Sequence, residues 1–124
     1  MMNNKNEIEK KYNEILTAYK NNLEKYNVKM PKLYLKDKYT INGLVLIYLY
    51  AKIGKIVSKQ ELTDYLRTMG FDINDVQQDR HLAQQYGWYI LSGTRWDYEC
   101  KNLGIKPGEY MMKTIYNPYP SYKN

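Results

Sequence analysis

Gln77, Arg80, His81 and Gln84 stand three and four residues apart, so a helix turning about 100° per residue carries all four on one side. Two amides, a guanidinium and an imidazole in a row are groups that hydrogen-bond base edges in a major groove. A glutamine pairs with adenine through two bonds, and an arginine pairs with guanine likewise. Val76, Leu82, Ala83 and Tyr86 fall on the other side, the side a helix gives to a core. The same polar row also fits a solvated helix face, and Arg80 fits a salt bridge to Asp79 or to an acid on a neighbouring helix.

A second group lies between Ser92 and Pro107, where Arg95, Trp96, Tyr98, Lys101 and Lys106 set aromatic rings among cations. Such interleaving stacks on a base and holds phosphates at once. With Lys59, the residues Arg95, Trp96, Tyr98 and Lys101 form the candidate set for backbone contact or stacking. The competing arrangement folds Trp96 and Tyr98 back onto the core, where most tryptophans go.

Catalytic chemistry has little to work with. His81 is the only histidine, and a histidine-dependent metal nuclease site of the HNH type needs at least two. Glu99 and Lys101 give the Glu-x-Lys of another nuclease motif, but the sequence places no partner acid on a strand beside it. A Cys100–His81 dyad lacks a third group to orient the imidazole. No catalytic centre is recognised, and neither a metal nor a cofactor is expected.

The elements that must position these residues follow from periodicity and punctuation. Asn4 to Tyr26 carries Ile8, Tyr12, Ile15, Leu16, Tyr19, Leu23 and Tyr26 at spacings of three and four, a long amphipathic helix. Its stripe must be buried, either on the chain's own core or in a coiled-coil homodimer. Met30-Pro31 ends it. Lys32 to Tyr39 reads as a basic extended connector. Ile41 to Ile53 contains LVLIYLY, a helix apolar all round, and Lys55 to Val57 is long enough for a short strand. Ser58-Lys59-Gln60-Glu61 is a capping box, opening a helix that Gly70 ends. Asp72 caps a third helix, with Asp75 as its counterpart and Phe71 and Val76 as its staple; Gly87 stops it. Trp88 to Leu91 and Glu109 to Tyr116 make the arms of a hairpin.

The order helix, strand, helix, helix, hairpin is that of a winged helix-turn-helix. The expected fold is therefore α+β and mostly helical: an N-terminal helical extension (1–30), a basic connector (31–40), a winged-helix domain (41–116) ending in a β-hairpin wing, and an extended tail (117–124).

Composition agrees with one small core. The 124 residues are 44% hydrophobic and 26% charged, with a net charge of +6. The charge runs +2 over 1–30, +4 over 31–70, −2 over 71–86 and +2 over 87–124. A basic excess suits a polyanion, but the third helix is itself acidic, so phosphate contacts must come from elsewhere. No apolar run is long enough for a membrane span and the polar start lacks a secretory core, which predicts a cytoplasmic protein without membrane contact. The single cysteine rules out an internal disulfide.

Arg80-His81-Leu82 followed by Gly87-Trp88-Tyr89-Ile90 resembles the winged-helix modules attached to restriction endonucleases, both HNH-type and methyladenine-dependent. The resemblance covers about Ile41 to Tyr116 and is carried chiefly by RHLAQQYGWYI. It implies sequence-specific binding of double-stranded DNA, possible sensing of adenine methylation, and Gln77, Arg80, His81 and Gln84 as the groove-facing set. No nuclease domain is visible in the chain. The alternatives are a winged-helix protein-interaction domain and a small standalone transcriptional regulator.

Overall fold

A computed structural model describes residues 4–73, 80–95 and 97–122. The fold is α+β, about half helical, with two small sheets. Among the described residues no helix is long and apolar enough to cross a membrane.

Helix α1 (Lys5–Ala18) starts at Asn4, whose side chain accepts the Asn6 N–H at 2.8 Å. It continues through a π-helical turn, Tyr19–Leu23, and a 3₁₀ turn, Glu24–Tyr26, and Asn27 closes it in the left-handed conformation. The expected helix is thus present over its whole length, with its last two turns re-pitched. The π turn brings Leu23 under Ala18, five residues earlier, which an α-helical pitch would have rotated away. Ile8, Ile15, Ala18 and Leu23 are buried in the chain's own core. Tyr12, Tyr19 and Tyr26 of the same stripe pack half-buried against that core, and Leu16 is half-buried.

The stretch expected as an extended connector contains a hairpin instead. Strands β1 (Tyr34–Leu35) and β2 (Lys38–Tyr39) pair antiparallel, Tyr34 opposite Tyr39 and Leu35 opposite Lys38. Lys36 and Asp37 turn the chain with φ of 52° and 64°, the signature of a type I′ turn. The rings of Tyr34 and Tyr39 stack at 5.1 Å.

Helix α2 (Ile41–Ala51) is capped by Thr40, which accepts the Gly43 N–H at 3.0 Å. Leu44, Val45, Leu46, Ile47 and Leu49 are all buried, as its all-apolar sequence requires. Gly43 is needed there: a Cβ would stand 2.8 Å from the Lys32 carbonyl, where the chain entering the hairpin crosses the helix. Strand β3 (Val57–Ser58) leads into helix α3 (Lys59–Thr68), and Ser58 accepts the Glu61 N–H at 3.0 Å. The capping box is reciprocal, since the Ser58 backbone also bonds the Glu61 carboxylate. That carboxylate further takes the Tyr48 hydroxyl and Lys52, 2.9 Å away.

Of the stretch expected as a third helix the structure describes Phe71 to Ile73, which are not helical, and a π-helical turn Arg80–Gln85; the expected cap partner Asp75 and staple residue Val76 lie outside the described residues. Strands β4 (Trp88–Ser92) and β5 (Glu109–Pro118) follow and pair antiparallel. The sheet order is β3-β5-β4, so the short strand between α2 and α3 joins the outer side of the hairpin. One face of this sheet, with Trp88, Ile90, Tyr110 and Met112, meets the helices. The other face carries Tyr89, Leu91 and Met111. The connection between the arms folds back over it, placing Cys100 of the short helix α4 (Cys100–Leu103) and Ile105 against those side chains. Gly93 lets the two ends of that connection meet, because a Cβ would overlap the Lys106 carbonyl.

The expected extended tail is extended only to Pro118, the end of β5. A 3₁₀ turn, Pro120–Tyr122, returns it to the body, and the Tyr122 hydroxyl donates to the carbonyls of Gln84 and Gln85.

Candidate nucleic-acid interface

The last turn of the third stretch has the two-sided character its sequence predicts. Leu82 and Ala83 are fully buried, Tyr86 is half-buried and Gln84 is exposed. Gln77 lies outside the described residues, as do the side chains of Arg80 and His81. Gln84 is therefore the one member of the proposed base-reading row whose outward placement the structure describes. The C-terminal end of the stretch is held firmly. Its Tyr86 carbonyl accepts the Lys29 N–H at 2.8 Å, its Gln84 and Gln85 carbonyls accept from Tyr122, and Trp88 behind it donates its indole N–H to the Lys29 carbonyl at 2.8 Å. Carbonyls at a helix end otherwise need water; here they are anchored to α1's exit and to the tail.

The backbone-contact set divides. Tyr98 is 90% exposed and Lys101 is exposed on α4, both free of the core, while Trp96 lies outside the described residues. Lys59 is half-buried at the first position of α3, and its N–H donates to the Gly108 carbonyl at 2.8 Å, so it joins that helix start to the returning arm of the hairpin.

Arg95 is placed otherwise than expected. Its guanidinium is only 12% exposed and makes an ion pair with Asp97 at 2.6 Å, with a second bond from Nε at 3.0 Å. It also donates to the Ile90 carbonyl and lies 5.1 Å from the centre of the Tyr119 ring. Asp97 in turn accepts the Tyr119 hydroxyl at 2.6 Å and the Ser92 N–H at 2.8 Å. Burial opposes ionisation of Asp97, but bonds from Arg95, Tyr119 and Ser92 outweigh it and hold the carboxyl below its ordinary value. Burial works against the Arg95 cation as well, and Asp97 more than restores it. Arg95 therefore pins the connection to the sheet, and a phosphate contact is not carried forward for it.

The acids around the Glu-x-Lys spacing are engaged within the chain. Asp97 serves Arg95, and Glu99 serves the Tyr89 hydroxyl and Lys113. Among the described residues no group of three or more His, Cys, Asp or Glu side chains could hold a metal. Cys100 is buried, and burial raises its thiol above the ordinary value, so it packs as an apolar residue.

Sequence reasoning missed a pattern that the tyrosines create. Tyr34 donates to Glu9, Tyr48 to Glu61, Tyr50 to Glu14, Tyr89 to Glu99 and Tyr119 to Asp97, so five of the 13 acidic residues sit half-buried under a tyrosine hydroxyl. Burial and the Glu14 carboxylate push Tyr50 up to about 12. The signal was the abundance of tyrosine at positions where leucine is usual, though the partners are up to 36 residues away.

No protein-family model matches the chain, and no curated protein or solved structure matches it.

Proposed function

We propose that this chain is a winged-helix module that binds double-stranded DNA, laying the third helical stretch (71–86) in the major groove. The observation that carries the reading is the arrangement around that stretch. Strand β3, between the first two core helices, pairs with the last strand in the order β3-β5-β4, and the stretch turns Leu82 and Ala83 to the core and Gln84 outward. Gln77, Arg80, His81 and Gln84 are the base-reading candidates. Lys59, Tyr98 and Lys101 are the candidates for contact with the backbone.

The net charge of +6 supports a polyanionic partner. The resemblance of RHLAQQYGWYI to modules of restriction endonucleases supports a recognition role beside a nuclease, with adenine methylation as one feature to be read. A titration of mixed duplex DNA, followed by fluorescence anisotropy at low and physiological salt, tests the reading. With about four phosphate contacts, raising salt from about 50 to 200 mM should weaken binding roughly 10²-fold. Absence of binding at low salt would refute it.

A further inference from the structure

The third stretch carries a formal charge of −2, so a duplex seated on it must have its phosphates neutralised by other parts of the chain. Hairpin β1–β2 lies where that charge is needed. At one end of the stretch, Lys29 is bonded through its N–H to Tyr86, and a cavity of about 370 Å³ is lined by Lys29, Lys32, Leu35 and Tyr86. At the other end, a cavity of about 520 Å³ is lined by Tyr34, Lys38, Gly70 and Phe71. The hairpin therefore shares one cavity with the residue where the stretch begins and another with the residue where it ends.

Its charge and rigidity suit the task. Lys29, Lys32, Lys36 and Lys38 are all exposed, and among the described residues none of them carries an ion pair. Asp37 is the only acid between Lys25 and Ile41. The strands are braced from behind: Tyr34 reaches Glu9, Tyr12 donates to the Pro31 carbonyl at 2.7 Å, and the Thr40 N–H donates to Leu33 at 2.9 Å. The tip places a lysine at φ 52°, where a residue with a Cβ is disfavoured and Asn-Gly would turn at lower cost. A cation is thus presented at a position that backbone preference alone would give to another residue.

We infer that hairpin β1–β2 is a second phosphate clamp, with Lys32, Lys36 and Lys38 gripping the DNA backbone beside the groove that the third stretch enters. The inference rests on the DNA-binding reading above and adds a basic arm beside the stretch.

The test is a variant carrying Lys32→Gln, Lys36→Asn and Lys38→Gln, in which asparagine tolerates the left-handed turn. Duplex affinity is measured as a function of salt, with the melting temperature as control. Three lost contacts should reduce the slope of log K against log salt by about 2.7, from about 0.9 per phosphate, while base preference and melting temperature hold. If the wild type binds and the variant keeps its slope, the clamp is wrong and the DNA-binding reading stands. If the variant keeps its slope but melts well below the wild type, these lysines serve acids of the third stretch, which also overturns the clamp. If the wild type binds no duplex, both readings fall together.

Discussion

Hairpin β1–β2 turns within two residues and leaves Lys32, Lys36 and Lys38 in water, whereas hairpin β4–β5 joins its arms through residues 93–108, which fold back on the sheet and bury Arg95 against Asp97. Both regions read as basic in sequence. In one, Asp37 at the tip is the only acid in the sequence between Lys25 and Ile41; in the other an acid stands two residues from the arginine, and Tyr119 approaches from the end of β5. A count of cations therefore measures availability only after the acids within reach have been assigned.

Arg95→Ala is the strongest way to break this contrast. It would strand Asp97 in a half-buried site, and removing one partner of a buried pair costs about 3 to 5 kcal/mol. For a chain of this size that is a fall of roughly 10 °C or more in melting temperature. Affinity for duplex DNA, measured on the protein that remains folded, should be unchanged. A large loss of affinity with no change in melting would instead return Arg95 to the DNA-contacting surface.

Much of this architecture was legible because it is local. Ser58, Gly70 and Gly87 mark helix boundaries through bonds or φ values that span a few residues, and the arms of β4–β5 announce themselves by composition. Hairpin β1–β2 was illegible because its strands are two residues long and its turn, Lys36-Asp37, lacks the asparagine and glycine that normally betray a type I′ turn. Arg95 was misread because the third member of its network is Tyr119, 24 positions further along. The tail reads as extended because Pro118 and Pro120 suggest it, and nothing local says that Tyr122 reaches back to Gln84 and Gln85.

A smaller effect sharpens the account of the buried network. Asp97 has its carboxyl below the ordinary value when folded, so its contribution to stability is complete above the unfolded value near 3.9 and is lost as pH falls through the folded one. Tyr119→Phe removes one bond to that carboxylate and should cost about 1.5 to 3 kcal/mol near neutrality, less in strong acid. Asp97→Asn should flatten stability in the acid range below about pH 4 relative to the wild type. Thermal melts from pH 2 to pH 7 check both. An unchanged acid limb in the Asp97→Asn protein would mean that other carboxylates, Glu61 first among them, govern acid unfolding.

The smallest effect bears on the first hairpin and runs in the opposite direction. Lys36→Asn with Asp37→Gly gives the turn the residues its positive φ values favour, and relief of two left-handed non-glycine positions is worth on the order of 1 kcal/mol. The melting temperature should rise by a few degrees. If Lys36 grips a phosphate, duplex affinity should fall even so, because the substitution removes a cation from the tip; the simultaneous loss of Asp37 leaves the net charge of the chain unchanged, so a global charge effect cannot account for the fall. Greater stability with weaker DNA binding is the signature of a residue kept for contact rather than for folding. A variant that gains stability and binds as tightly as the wild type would show that the lysine at the tip is incidental, and the contrast between the two hairpins would then concern exposure alone.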